Sequence, residues 1–229
     1  EVLGIYMAGD TGKGSRNGRP KINIIEFKED GFGNLTDPFK PNKRDGFKWS
    51  IDPENKGQIV VEPDSPPPPP GKIVFEYIPG VGVKSIEADG QAAPKTLMLR
   101  VDKMVGQYVS KTSRLVLNTN YSAELWVNGN KVFDGKWYVS GGAEGTQPEI
   151  WFSVPGKYNL LLAVDIAQKP FSIKSVANLK VNPATRKIDR VPLLPQGQMT
   201  YTKSKNDGGG GSGTGQEPGM EPGSGLDGQ

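Results

Sequence analysis

The chain contains no cysteine and no histidine. Without cysteine there is no disulfide framework and no thiolate nucleophile. Without histidine the commonest general base and the commonest zinc ligand are gone, and with them every Ser-His-Asp or Cys-His arrangement. An enzyme built from this chain would have to use carboxylates, lysine or an oxygen-bound metal. Long apolar runs are also missing. None reaches the roughly 18 residues that a membrane-spanning helix needs, so no membrane span is expected. Charge of one sign is scarce too: 28 basic residues face 25 acidic ones, for a net +3. Glu217, Glu221 and Asp227 carry −3 at the C-terminal end, which leaves +6 for the rest. A duplex-binding surface concentrates Lys and Arg on one element. No such cluster is found, so nucleic acid is not an expected partner. The first residue is Glu1, and no signal-peptide pattern follows it. A cleaved leader and a start further upstream both fit.

What the chain has in quantity is glycine (31) and proline (20), together more than a fifth of its 229 residues. Average usage is nearer one in eight. Hydrophobic content is only 34%, so part of the length is expected to lie outside any core. Residues 1–65 read as an N-terminal β/extended arm. It holds a short strand at Val2–Met7, an alternating strand at Lys21–Phe27 closed by the Asp30-Gly31 turn, and a third at Gln58–Glu62. Between them Phe32, Leu35, Phe39, Phe47, Trp49 and Ile51 are scattered among Gly, Pro, Asn and Asp, without period. Five prolines, Pro66–Pro70, form a stiff spacer and an expected boundary.

Residues 71–183 carry the densest strand signals and predict an all-β, antiparallel, jelly-roll-like sandwich centred on Leu115–Val164. Strands are expected at Lys72–Ile78, Thr96–Val101, Arg114–Leu117, Ala123–Val127, Lys131–Phe133, Glu149–Val154 and Tyr158–Val164. Asn128-Gly129 is the strongest two-residue hairpin signal in the chain. One short helix is possible within 102–111. Residues 184–207 read as an extended strap. Residues 208–229 hold ten glycines in 22 positions and form a tail with almost nothing to bury.

Motifs with chemical meaning are few. Gly9-Asp10-Thr11-Gly12-Lys13-Gly14-Ser15 resembles a phosphate-binding loop. However, the first glycine of that motif would fall at Met7, and Gly14 stands where a hydroxyl should bind magnesium. Asp52–Gly57 resembles the start of a calcium loop, with Lys56 at the fifth ligand place and Pro63 where a bidentate glutamate is required. Asn34-Leu35-Thr36 and Asn120-Tyr121-Ser122 match the glycosylation sequon. Glu124, Asp134, Glu144, Glu149 and Asp165 could in principle supply a carboxylate pair. Charged residues that alternate with apolar ones usually form the solvated face of a strand. No catalytic residue, metal or cofactor is therefore expected, and the chain reads as a non-enzyme.

The segment 113–166 joins Arg114–Leu117, the Ala123-Glu124-Leu125-Trp126-Val127-Asn128-Gly129-Asn130-Lys131-Val132 hairpin and the Val154–Val164 strand. It resembles the galactose-binding-like jelly roll that occurs as the accessory sugar-binding domain of family-2 glycoside hydrolases. The resemblance covers about a quarter of the chain and implies fold only. Its aromatics suggest surface contacts: Trp137 and Tyr138, read as lying in a loop, and Trp151.

The functional expectation is a structural component of a large assembly, a bacteriophage or virus particle. It would be a minor capsid, decoration, tail or fibre protein located in the virion. Its partners would be other structural proteins of the same assembly, in multiple copies. The arms would wrap neighbours, and the tail would be clamped by a partner around Gly208, Gly211, Met220 and Leu226. The alternative is a carbohydrate-binding or adhesin module, extracellular or at a cell surface, which takes a glycan on Trp137 and Tyr138.

Overall fold

The computed structural model describes residues 2–10, 21–37, 40–64, 71–140, 147–153, 159–167, 171–182, 184 and 188–205. The chain is nearly all antiparallel β. Its described strands form two sheets of nine, and each sheet closes on itself into an eight-stranded barrel with one extra strand.

In barrel 1 a meander runs through β1 (Gly4–Asp10), β2 (Lys21–Phe27), β3 (Phe32–Asp37), β4 (Lys40–Ile51), β5 (Gln58–Pro63) and β6 (Ile73–Ile78). β7 (Gly82–Ala88) continues it, β8 (Gln91–Ala92) adds a short hairpin, and β9 (Leu97–Arg100) pairs with both β7 and β1 to close the circle. A single helical turn, α1 (Val101–Met104), leads into barrel 2. There the plan repeats. The meander is β10 (Gly106–Val109), β11 (Ser113–Leu117), β12 (Ser122–Val127), β13 (Asn130–Ser140), β14 (Glu149–Ser153) and β15 (Asn159–Asp165). β16 (Ser172–Val181) follows, β17 (Ile188–Pro192) pairs with it, and β18 (Thr200–Lys203) closes onto β10.

Each barrel closes because apolar residues alternate along its strands, so one face of the curved sheet turns inward. Eight strands enclose a space that side chains can fill. In barrel 1 the filling includes Tyr6, Ile25, Phe27, Phe47, Ile59, Val61, Phe75, Val83 and Met98. Phe27 is the hub, edge-on to Tyr6 (5.5 Å), Phe47 (5.7 Å) and Trp49 (5.4 Å). Glycine is needed at two close approaches. A Cβ at Gly33 would collide with the Phe47 ring, and one at Gly82 with the Met98 carbonyl. Closure also removes the exposed edges that invite aggregation. The leftover edge at β17 is blunted. Leu193 donates its N–H to Val176 (3.0 Å), so the alternation turns residue 192 to the free edge, and proline there has no N–H to offer.

The barrels share a core. The outer face of β1, β2 and β9 (Met7, Ile24, Leu97 and Leu99) is buried in one cluster with α1 and the interior of barrel 2. β13 lies against β1, and the Val139 N–H points at Met7 Sδ, 3.2 Å away. Burial, and then the charge of Glu26 from barrel 1, push the Tyr121 hydroxyl above its usual pKa.

Several expectations change here. The supposed N-terminal arm is most of barrel 1: β2 runs over Lys21–Phe27 as expected, and the aperiodic stretch forms β3 and the 12-residue β4. The prolines 66–70 lie outside the described residues, but β5 before them pairs directly with β6 after them. The boundary expected there is therefore not a change of barrel, which comes at α1. The supposed strap contributes β17 and β18. The hairpins expected over Leu115–Val164 are present as β11–β15. They belong to a closed meander, where a jelly roll would split them between two packed sheets. Consecutive hairpins look alike in both architectures. Closure depends on Thr200–Lys203, a segment too short and polar to read as a strand alone.

Candidate functional surface

Filled barrels leave function to their outer faces and ends. Trp137 lies within β13, on the inward face shared by Phe133 and Val139, and is fully buried at 0% exposure. Its indole N–H donates to the Asn118 carbonyl (2.9 Å), and its ring lies 6.0 Å from that of Tyr121. Tyr138 points the other way, yet it too is buried, in the cluster shared by the barrels. Trp151 packs outside barrel 2 with Leu161 and Ala177, and its buried indole N–H has no hydrogen-bond partner among the described residues. None of the three is a surface platform. Strand β13 runs through both Trp137 and Tyr138 to Ser140, where a loop was expected before Gly141-Gly142. Gly208, Gly211, Met220 and Leu226 lie outside the described residues.

An aromatic at the surface is Trp126. On β12 it is half-buried beneath charged neighbours. The Arg114 guanidinium sits 4.6 Å from its ring and Lys131 Nζ 5.8 Å. Its indole N–H donates to Glu124 (2.9 Å). Lys131 bridges Glu124 (3.2 Å) and Asp134 (3.4 Å), two carboxylates that face each other across the β12–β13 hairpin. Their hydrogen bonds, Glu124's first, raise the Lys131 pKa. Exposed pairs like these contribute little to stability. Because they hold the ring between cations, they give this face a rigid, mixed-charge character. The turn beneath the cluster forms as Asn128-Gly129 predicts, with φ of 48° and 78°.

The other carboxylates singled out from sequence serve the fold. Glu149 receives both guanidinium nitrogens of Arg190 at 3.0 Å, and Asp165 accepts the Ala167 N–H (3.0 Å). Glu144 and residues 11–15 of the glycine-rich loop lie outside the described residues. Asp52 accepts the backbone N–H groups of Glu54 (2.8 Å) and Asn55 (3.1 Å). It thus makes an ordinary turn where a calcium loop was considered. Those two hydrogen bonds hold its pKa below the usual 3.8. A depressed carboxylate pKa stabilises the fold above the unfolded value, and that stability is lost as pH falls through the folded one. NMR titration should therefore place Asp52 below a peptide aspartate. Asp52→Asn should remove the stability that the charged carboxylate contributes above its unfolded pKa, so the variant should be slightly less stable at pH 7 and lose less as pH falls. A normal Asp52 titration would contradict the turn geometry.

Among the described residues no group of three acidic side chains could hold a metal ion. No described helix is long and apolar enough to cross a membrane. Comparison with protein families, with characterised proteins and with solved structures finds no match to this chain.

Proposed function

We propose that the chain is a structural component of a large assembly, a bacteriophage or virus particle, and that it acts by binding neighbouring subunits. The observation that carries this reading is the filling of both barrels. Large side chains occupy the interiors, which leaves the outer faces as the surfaces on which the chain can act. One such face is already committed to barrel–barrel contact. The absence of histidine and cysteine and the glycine-rich composition of residues 208–229 agree with a mechanical role. The glycan-binding alternative had relied on Trp137 and Tyr138, both now buried, and no specific observation favours it.

The tail supplies the test. If neighbours clamp it, Met220 and Leu226 are its apolar anchors, each contributing roughly 1.5–3 kcal/mol when buried. Deleting residues 208–229 should then reduce incorporation into particles by at least about tenfold. The melting temperature of the isolated chain should not move. Quantitative mass spectrometry of purified particles reads the ratio of truncated to full-length chain. Normal stoichiometry for the truncated chain would remove the clamping role.

A further inference from the structure

The two barrels correspond down to single hydrogen bonds. The buried Tyr6 hydroxyl donates to the Val2 carbonyl (2.6 Å), and the buried Tyr108 hydroxyl to the Met104 carbonyl (2.8 Å), each four residues back. The glycine between them has φ of 145° at Gly4 and 138° at Gly106. In the β2–β3 turn Asp30 accepts the Phe32 N–H (3.0 Å), and in the β11–β12 turn Asn120 accepts the Ser122 N–H (2.9 Å). The Trp49 indole closes the first turn on the Lys28 carbonyl (3.1 Å), as Trp137 closes the second on Asn118. In each barrel a bulge places one extra residue, Ile86 on β7 opposite Val74/Phe75 and Val176 on β16 opposite Leu161/Leu162. The side chains of Ser85 and Ser175 accept the Thr96 N–H (3.1 Å) and the Met199 N–H (2.7 Å). The two barrels are thus built on one plan, turn for turn and bulge for bulge.

The correspondence locates an unused contact. Tyr6 matches Tyr108, so Met7 matches Val109. Trp49 matches Trp137, so Ile51 matches Val139. Met7 and Val139 are both fully buried where barrel 1 meets barrel 2. Their counterparts Val109 and Ile51 are 37% and 39% exposed, two of six large apolar side chains exposed among the described residues. Each half of the contact is thus present a second time, uncovered and on opposite barrels.

We propose that a second copy of this chain docks head to tail, seating Val109 of one copy on Ile51 of the next. The proposal rests on the reading of the chain as an assembly component and names its neighbour as another copy. The contact is weaker than the one within the chain. Ile24, Leu97 and Leu99 flank Met7, whereas Arg114, Thr200 and Thr202 flank Val109 at the matching register. Reversible interfaces are more polar than obligate ones. Because the two halves differ, the contact is heterologous and continues into a ring or a filament.

Sedimentation of the full-length chain over a concentration series tests it. The average mass should rise with concentration. Val109→Asp and Ile51→Asp should each stop that rise, since each removes one half of the contact. An equimolar mixture of the two variants should recover a species of twice the monomer mass, because each retains the half the other lacks. If a charged variant melts early, Val109→Thr or Ile51→Thr replaces it. A monomeric wild type, a variant that associates as wild type does, or a mixture that stays monomeric would each overturn the contact. A wild type that is monomeric in solution yet enters particles would sink this contact and leave the assembly reading standing.

Discussion

Trp137→Ala should destabilise the chain by about 3–5 kcal/mol, the range for deleting a large aromatic from a packed core. The expectation follows from position. Trp137 is the largest of the fully buried side chains, and the space it fills is walled by strands that cannot collapse inward without breaking register. The substitution also removes one of the two donors on the Asn118 carbonyl, which keeps only the Tyr121 N–H (3.0 Å). Domains of this kind have roughly 5–15 kcal/mol in total, so the variant should unfold at a markedly lower denaturant midpoint. Trp126→Ala is the control. Its ring lies outside the barrel among charged groups, and its removal should cost no more than about 1 kcal/mol. Urea unfolding of both variants decides the matter. Equal losses would mean that Trp137 is not the core residue its burial indicates.

Met7→Asp should separate the two barrels energetically. Met7 lies on the outer face of β1, fully buried, with the Val139 N–H directed at its sulfur. A carboxylate there would be buried without a cation to pair with, at a cost of roughly 3–5 kcal/mol. That cost falls on the contact between barrels, because the interior of barrel 1 is a separate cluster led by Tyr6, Phe27 and Phe47. Calorimetry should show the unfolding of the two barrels resolved into two transitions. Burial would raise the pKa of the introduced carboxylate. The penalty should therefore be small in acid and grow as pH rises through the carboxylate range. A single transition at the wild-type temperature would show that the barrels do not depend on this face.

Much of the local structure was legible in sequence, and particular residues show why. Lys21–Phe27 alternates well enough at its start to read as a strand, and both of its faces are buried, Ile22 and Ile24 in the cluster shared with barrel 2 and Ile25 and Phe27 inside barrel 1. Asn128-Gly129 accepts the positive φ values of a tight hairpin, a preference that needs no tertiary partner. Trp137 and Tyr138 were misread because the nearby Gly135 and Gly141-Gly142 signal a loop. Burial of both faces of β13, one by the interior of barrel 2 and one by barrel 1, outweighs that signal. The shared plan of the two barrels was hidden for a related reason. The matched turns hold Lys-Glu-Asp-Gly in one barrel and Asn-Thr-Asn-Tyr in the other. What is kept is the side-chain acceptor at Asp30 or Asn120 and the positive φ at Gly31 or Tyr121, a geometry that several residue types satisfy.

The sequence by itself determined that the chain is antiparallel β, that it lacks thiol and imidazole chemistry, and where its clearest strands and hairpin lie. Each of these follows from composition or from contacts between near neighbours. Only the tertiary structure decided that the sheets close, that the chain holds two barrels of one plan, and which aromatics face solvent. Those outcomes depend on pairings such as Tyr6 with Arg100 and Tyr108 with Lys203, between residues roughly a hundred positions apart. Segments as short as β9 and β18 acquire their partners only once the meander before them has curled round to meet them.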